Sequence, residues 1–166
     1  RISSRYSASR LHPILRIRRP HLGVDYAAPV GTPVQAIGDG RVTFAGIDGA
    51  NGRIVKITHN SVYSTAYLHL SGFGKGIAAG AHVKQGDIIG KCGNSGRSPY
   101  PHLHFQMQAH PFIGSPTISY PVSYFIKHSV GNYSLENYKV PETGLMISNV
   151  EKNEALSAGF DFIPGR

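Results

Sequence analysis

The chain has 166 residues, enough for a single domain with a buried core, and its 20 glycines and 11 prolines favour a turn-rich β protein over a helical bundle. The formal net charge of +8 favours an anionic partner, and charge alone leaves nucleic acid, a membrane surface and an acidic cell-wall polymer open. The single cysteine, Cys92, excludes an intrachain disulfide and a Cys-rich zinc site, and no apolar run approaches the ~18 residues of a membrane span.

The first 20 residues are basic, with four arginines between Arg10 and Arg19. Apolar residues interrupt this short run, so we expect a solvated basic loop rather than a nucleic-acid-binding arm. The chain begins at Arg1 without Met and shows no apolar signal region, which indicates a mature or excised fragment.

Residues 21 to about 109 consist of short runs in which Val, Ile, Thr, Tyr and Phe alternate with polar residues, and glycine turns separate the runs. The predicted strands, in chain order, lie in TPVQAIG, GRVTFAGI, GRIVKITHN, STAYLHL, HVKQGDIIGKCG and HLHFQMQ. Strands at this spacing predict a mostly β fold with an antiparallel sandwich or barrel core. No helix of ordinary length is predicted here, and any helix is expected after residue 110. Cys92 is expected to be a small packed residue.

The character of the sequence changes after about residue 110. We interpret residues 111–166 as a C-terminal extension that packs on the core or leads to a further module. Within it, NVEKNEALSAGF predicts one short helix, with Asn153 as a weak N-cap signal. The terminal GFDFIPGR is typical of an extended strand.

Two segments carry residues that bind metals. In PHLHF, His102 and His104 lie two positions apart and therefore on one face of a strand, and in HLGVD the alternation places His21 and Asp25, four positions apart, on one face as well. Two imidazoles and one carboxylate, from His21, Asp25 and His104, would leave one position of a tetrahedral zinc ion open for water. A straight strand would hold His21 and Asp25 ~13 Å apart, so the hypothesis requires a bend, which Gly23 permits.

Two further histidines are candidates for chemistry without metal binding. His102 would lie near the ion and could hold or deprotonate the attacking water, or stabilise an oxyanion. His69 is a second candidate for this role, on a strand where it is expected to share a face with Tyr67. The remaining histidines, which are His12, His59, His82, His110 and His128, are interpreted as packed or exposed residues without chemistry.

Over residues 1–109 the sequence resembles the lysostaphin-type, or LytM-like, zinc metallopeptidases that cut the peptides of bacterial peptidoglycan. The shared motifs, in order, are HLGVDYAAPVGTPVQAIGDGRV, YLHLS, GAHVKQGDIIGKCGNSG and PHLHF. The resemblance implies zinc ligands at His21, Asp25 and His104, and non-ligand catalytic histidines at His69 and His102. It also implies a mostly antiparallel β-sheet groove, within a metallopeptidase domain over residues 1–110.

This sequence departs from the family pattern at the groove. Pro99 and Tyr100 stand before PHLHF, where relatives commonly have Thr-Gly, so the shape of one groove wall is expected to differ. Gln106 replaces a frequent glutamate and is expected on the metal-facing side of its strand. None of these departures removes an expected ligand.

The resulting hypothesis is an endopeptidase with one Zn²⁺ per chain that hydrolyses peptidoglycan crosslinks in the cell envelope, whether periplasmic, outer-membrane-associated or secreted. An inactive LytM-like regulator and a wall-binding module are the alternatives. No nucleic-acid motif is present, and a monomer is assumed. The residues leave open which bond is cut. The N-terminal motif is similar to versions widespread in Gram-negative envelopes, which favours direct crosslinks by analogy.

Overall fold

The computed structural model describes residues 1–11, 16–109, 117–118, 122–129, 132–139 and 146–148. Its fold is mostly β and its strands pair antiparallel, which confirms the predicted fold class. The strands are β1 (Ile2–Ser4), β2 (Ser7–Leu11), β3 (Arg18–His21), β4 (Val24–Ala27), β5 (Pro33–Gln35), β6 (Gly40–Ile47), β7 (Arg53–Thr58), β8 (Ser64–Leu70), β9 (Gly72–Phe73), β10 (His82–Val83), β11 (Ile88–Lys91), β12 (His102–Gln108), β13 (Val122–Ser129), β14 (Asn132–Lys139) and β15 (Met146–Ser148).

The largest sheet has seven strands in the order β1-β4-β12-β8-β7-β6-β10. Strand β12 lies between β4 and β8, so HLHF is placed at the centre of the sheet although its neighbours are distant in sequence. In this register His104 is opposite Asp25 on β4 and opposite Leu68 on β8. The topology alone therefore brings two of the predicted ligands onto adjacent strands.

The hydrophobic core unites strands of the seven-stranded sheet with strands of a second sheet of order β5-β11-β9. On β12, alternate residues pack into this core, as the period-two pattern predicts: Phe105 is buried there, and Leu103 and Met107 are partly buried against it. Tyr67 is nearly inaccessible, its ring packs 5.2 Å from that of Phe105, and its hydroxyl accepts a hydrogen bond from the backbone N–H of Ile37. Cys92 is buried in this core, which confirms that it is a packed residue.

The prediction of a basic loop over residues 1–20 is wrong. Strand β1 forms the edge of the large sheet beside β4, while β2 and β3 form a separate two-stranded ribbon. Ile2 and Ser4 are buried, so a short alternating pattern is present, but only three residues carry it. Arginine tolerates exposed strand positions because its apolar stem covers neighbouring surface while its charge stays in water.

One expectation about helices is also wrong. A 3-10 turn at Gly49–Asn51 lies within the core region, although any helix was expected after residue 110. Its short polar residues make local bonds, since both the backbone N–H and the side-chain amide of Asn51 donate to Asp48. In the described ranges no helix has the length and apolar character needed to cross a membrane.

The C-terminal extension contains strands in its described part. Strand β13 pairs with both β14 and β15 to form a three-stranded antiparallel sheet. The predicted helix at 149–160 and the predicted strand at 159–166 lie outside the described residues. The division into domains at residue 110 stays a prediction.

Candidate metal centre

The chain changes sheets between His21 and Asp25. His21 ends β3 in the two-stranded ribbon, and Asp25 lies on β4 of the large sheet, with the strand interrupted at residues 22–23. This is the bend that the ligand hypothesis requires. As a result, Nε2 of His21 is 3.1 Å from Oδ1 of Asp25, whereas a straight strand would separate the two residues by ~13 Å.

Gly23 is needed at the bend for a reason that differs from the expected one. Its backbone is outside the left-handed region, so conformational freedom is not what requires glycine. The requirement is space. A Cβ atom at Gly23 would lie 2.5 Å from Nε2 of His104 and 2.5 Å from the carbonyl oxygen of Phe105. Glycine therefore lets the bend pass directly against the His104 ring.

Three donor atoms converge at the bend. Nδ1 of His104 is 2.7 Å from Oδ1 of Asp25 and 3.1 Å from Nε2 of His21. Zinc bonds of 2.0–2.1 Å in tetrahedral geometry would separate such donors by about 3.3 Å. The donor set of two imidazoles and one carboxylate, largely withdrawn from solvent, therefore fits a zinc ion with one position left for water.

The tautomer of His21 is fixed by the segment between β1 and β2. Its Nδ1 lies 2.8 Å from the carbonyl oxygen of Arg5, which can only accept a hydrogen bond, so Nδ1 carries the proton. Nε2 is then left with its lone pair toward Asp25 and His104. Such a bond to a backbone carbonyl commonly orients a metal-binding histidine.

The electrostatics of the cluster favour the forms that bind metals. Burial by itself would raise the pKa of Asp25, but the neighbouring imidazoles of His104 and His21 hold it far below its usual value. Burial also lowers the pKa of His104, and the bond to Asp25 only partly offsets this effect. An ionised carboxylate and a neutral imidazole are the states in which these groups coordinate zinc.

His102 and His69 form a second pair beside the three converging residues. Their ring centroids are 4.9 Å apart, and Nε2 of His102 is 3.6 Å from Oδ1 of Asp25. Nδ1 of His102 donates to the carbonyl of Tyr100 at 2.8 Å, and Nδ1 of His69 donates to the carbonyl of Ser95 at 2.8 Å. In both rings the lone pair therefore resides on Nε2.

His69 reaches the site because β8 contains a bulge. Between the pairs Arg53–Leu70 and Val55–Tyr67, β8 advances three residues while β7 advances two. His69 has a φ of +62°, in the left-handed region. Leu70 therefore joins Tyr67 in the core, and the expectation that Tyr67 and His69 share a face is wrong. Burial lowers the pKa of His69, which favours its neutral form.

The loop between β11 and β12 supports both non-ligand histidines, although no separate pattern in the sequence predicts this support. Ser95 holds the bulge, since its hydroxyl donates to the carbonyl of Leu70 at 2.7 Å and accepts from the backbone N–H of Arg53 at 2.8 Å. The hydroxyl of Ser98 lies 3.1 Å from Nδ1 of His102. Serines in a glycine-rich turn are common, so only the three-dimensional contacts identify these two.

The departures from the family pattern lie near the site. Tyr100 is 45% exposed, and its ring centroid is 5.3 Å from that of His102. Gln106 donates from its amide to the carbonyl of Leu22 at 3.0 Å, so it supports the bend between His21 and Asp25 from the neighbouring strand. Tyr100 therefore lies beside a catalytic candidate and Gln106 beside the ligand candidates.

The other histidines have separate positions. His59 bonds to the carbonyl of Asp39 and the hydroxyl of Thr65, which makes it a structural residue. His82 is exposed on β10. His128 lies on β13, and His12 and His110 lie outside the described residues.

Sequence comparison identifies the family. The profile of peptidase family M23 matches residues 19–113, which is more than half of the chain and includes all five histidine and aspartate candidates. The chain belongs to peptidase family M23. The lysostaphin-type resemblance of the sequence is thereby confirmed.

Curated relatives and solved structures of M23 proteins agree with this assignment. The chain is 48% identical over 106 residues to the DD-carboxypeptidase/endopeptidase Mpg of Neisseria meningitidis, covering 64% of this chain and 24% of the relative. It is 41% identical over 122 residues to the peptidoglycan DD-endopeptidase ShyC of Vibrio cholerae, covering 73% and 28%. The chain thus spans about a quarter of the length of these relatives.

Among solved structures, the chain is similar to the catalytic domain of the antimicrobial peptidase lysostaphin from Staphylococcus simulans. The TM-score is 0.62 at 33% identity, over 71% of this chain and 86% of that domain. A zinc-containing peptidase from Vibrio cholerae matches with a TM-score of 0.60 at 40% identity, over 64% of this chain and 32% of that one. Both similarities support the fold described above.

Proposed function

We propose that this M23 domain is a zinc endopeptidase that hydrolyses peptide crosslinks of bacterial peptidoglycan. The observation that carries the proposal is the convergence of three donor atoms from His21, Asp25 and His104 beside two further imidazoles. The M23 relatives named as peptidoglycan DD-endopeptidases support the substrate class. They also support action in the cell envelope.

His21, Asp25 and His104 would hold the zinc ion through Nε2, Oδ1 and Nδ1 respectively. When bound, zinc supplies Lewis acidity that lowers the pKa of a coordinated water toward about 7 and polarises the scissile carbonyl. The rest of the chemistry falls to protein groups that bind, orient and move protons.

His102 is the best placed base. Its Nδ1–H is held by the carbonyl of Tyr100, so its Nε2 lone pair faces the centre, 3.6 Å from Oδ1 of Asp25. From this position Nε2 can accept the proton of the attacking water and return it to the leaving amine. His69, whose Nδ1 is bound to the carbonyl of Ser95, has its Nε2 lone pair free and its ring beside that of His102, so it is a second group that can accept a proton at the centre.

An inactive regulator that keeps the fold is the second candidate, from a different functional class. Such a domain would lack a complete ligand set, but here all three candidate ligands converge and both non-ligand histidines flank them. Zinc analysis of the purified domain separates the two candidates, because a regulator without a complete ligand set should bind no stoichiometric zinc. Absence of stoichiometric zinc would therefore favour the regulator.

The test separates metal binding from chemistry by measuring zinc content and release of soluble peptidoglycan fragments for matched variants. His104→Ala removes a ligand, so both zinc and activity should be lost. His102→Ala keeps all three ligands, so zinc should stay near one per chain while turnover falls about 10²–10⁴-fold. His69→Ala should behave like His102→Ala, and His82→Ala, exposed on β10, should change neither.

Loss of zinc in His102→Ala as complete as in His104→Ala would contradict the division of roles. Digestion of peptidoglycans with direct crosslinks and with glycine bridges, followed by mass analysis of the fragments, would identify the bond. We expect cleavage of direct crosslinks, because the relatives of this chain include proteins named as DD-endopeptidases.

A further inference from the structure

The positive charge of the chain is concentrated beside the candidate metal centre. Residues 1–24 contain six of the 17 basic residues and none of the nine acidic ones, so this segment carries +6 of the formal +8. All six are arginines, whose planar guanidinium suits bidentate binding of carboxylates. Within the described residues, only Lys56 and Asp48 form an ion pair between a lysine or arginine and a carboxylate. No described carboxylate therefore neutralises these arginines.

Two of these arginines share the face of the ribbon that carries His21. Arg19 is two positions before His21 on β3, and residues two apart on a strand point to the same side. Arg10 is directly opposite Arg19 on β2, so it shares that side. A guanidinium nitrogen of Arg10 donates to Oγ of Ser4 at 2.7 Å, and this Oγ is 3.3 Å from Nδ1 of His21.

The direct pairing of two arginines indicates an anionic ligand. Like charges opposite each other on paired strands repel, which destabilises the ribbon unless a counter-charge lies between them. Arg19 is exposed and Arg10 is half-buried, so the pair is open to a ligand from solvent. An anion bound there would relieve the repulsion and accept charge-assisted hydrogen bonds from both side chains.

We propose that Arg10 and Arg19 form a carboxylate-binding subsite that holds a free carboxylate of the peptide substrate beside the metal centre. This inference rests on the proposed function and specifies how the substrate is recognised. The Cα atoms of Arg19 and His21 are two strand residues, or about 7 Å, apart. Because an extended peptide advances about 3.3–3.6 Å per residue, the bound carboxylate belongs to a residue about two or more positions from the scissile bond.

An anionic lipid surface is the competing ligand for a basic ribbon. Leu11 and Ile17, at the end of the ribbon, are exposed apolar residues that would suit a lipid. The contact from Arg10 to Ser4 favours the substrate instead, because it places one of the two guanidinium groups close to His21, a candidate zinc ligand. The experiment below includes the lipid as an outcome.

The test compares Arg19→Gln with Arg18→Gln. The two variants remove the same charge from neighbouring positions of β3, but Arg18 points away from the His21 face. The substrates are a soluble crosslinked muropeptide and the same muropeptide with its carboxylates amidated. We expect Arg19→Gln to lower kcat/KM on the native substrate about 10–100-fold, mainly through KM, with zinc content unchanged. Arg18→Gln should stay within about twofold of the wild type.

The amidated substrate completes a double-mutant cycle. For the wild type, kcat/KM should be lower on the amidated substrate than on the native one by about the same factor as the Arg19→Gln change produces on the native substrate. The Arg19→Gln variant should have the same kcat/KM on both substrates. Arg19→Lys, which keeps the charge but not the bidentate geometry, should be intermediate. Equal activity of Arg19→Gln and Arg18→Gln on native substrate would overturn the subsite while leaving the peptidase intact.

Binding measurements separate this inference from the proposed function. Calorimetry with His102→Ala protein, which should bind the uncleaved muropeptide, reports the subsite without turnover. Weaker binding after the additional Arg19→Gln change supports the subsite even if wild type cleaves nothing, and unchanged binding overturns it. If Arg19→Gln keeps its muropeptide affinity but no longer sediments with phosphatidylglycerol vesicles, the ligand is a lipid and the proposal is wrong.

Discussion

Gly23→Ala is a single-methyl test of how the candidate metal centre is built. The added Cβ would lie 2.5 Å from Nε2 of His104 and 2.5 Å from the carbonyl oxygen of Phe105. Ordinary contacts of carbon atoms are about 3.5–4.0 Å, so one or both partners must move by about 1 Å. The Phe105 carbonyl belongs to β12, where Phe105 is registered opposite Val24, so the His104 ring is the easier group to displace.

The expected loss of zinc affinity follows from how little a ligand atom can move in a metal site. Donor distances in metal sites hold to about 0.2 Å, so a 1 Å displacement of His104 removes it as a ligand. Loss of a group that only hydrogen-bonds to a metal ligand already lowers metal affinity about 10–100-fold. Because the ligand itself is displaced here, we expect zinc affinity to fall at least about 100-fold. Overpacking should also destabilise the zinc-free protein by about 1–3 kcal/mol, which for a chain of this size lowers Tm by about 2–12 °C.

The assay is competition for zinc against a chromogenic chelator, together with thermal unfolding in excess EDTA. Gly72→Ala is the matched control, because Gly72 has no neighbouring atom within 4 Å of its ideal Cβ position and no positive φ. It should keep wild-type zinc affinity. If Gly23→Ala also binds zinc with wild-type affinity, then His104 is not a ligand in the observed geometry and the assignment of Nδ1 must be abandoned.

Three further predictions concern the supports of the site and the core. Ser95→Ala removes the hydrogen bonds from the hydroxyl to Leu70 and Arg53, so the free energy of unfolding measured in urea should fall by about 1–3 kcal/mol. The variant should keep its zinc but have a lower kcat, and an unchanged kcat would contradict a role for this serine in placing His69. Burial raises the pKa of Cys92, so iodoacetamide at pH 8 should label it only in denaturant, and rapid labelling of native protein would contradict its packing. Zinc at 100 times its Kd should stabilise the wild type against thermal unfolding by about 2.7 kcal/mol and should not stabilise His104→Ala. An equal stabilisation of both proteins would place the ion elsewhere.

Two strands of the site could be predicted residue for residue from the sequence. STAYLHL and HLHFQMQ correspond to β8 and β12. In HLHFQMQ, polar and apolar residues alternate at every position, so local preference and tertiary environment agree. Strand β1 was missed because three residues are too few to show a period. Its pairing with β4 depends on residues more than 20 positions away.

The residues of the candidate site could also be predicted from the sequence, because only a few residue types bind zinc. The need for a bend between His21 and Asp25 followed from strand length alone. The groups that orient the histidines could not be predicted. The carbonyls of Arg5, Ser95 and Tyr100 are backbone atoms that any residue would supply, so no sequence signal marks them.

The bulge at His69 explains why pattern reasoning failed at this residue. A period-two interpretation assigns faces on the assumption that every residue advances the strand equally, and one extra residue reverses the assignment of all that follow. A non-glycine residue at φ +62° costs of order 1–3 kcal/mol, so it persists only where other contacts hold it. Here the carbonyl and hydroxyl of Ser95 make three bonds around the bulge.

The site has two parts, and different elements of the fold hold each of them in place. The three candidate ligands lie on β3, β4 and β12, and their convergence depends on the bend and on the close approach at Gly23. The two other histidines are held by carbonyls of the loop between β11 and β12. Changes in that loop can therefore shift His69 and His102, and with them proton transfer and the contacts to substrate, while the metal ligands stay in place. Tyr100, one of the departures from the family pattern, fits this separation, because its ring lies beside that of His102, which is not a candidate ligand.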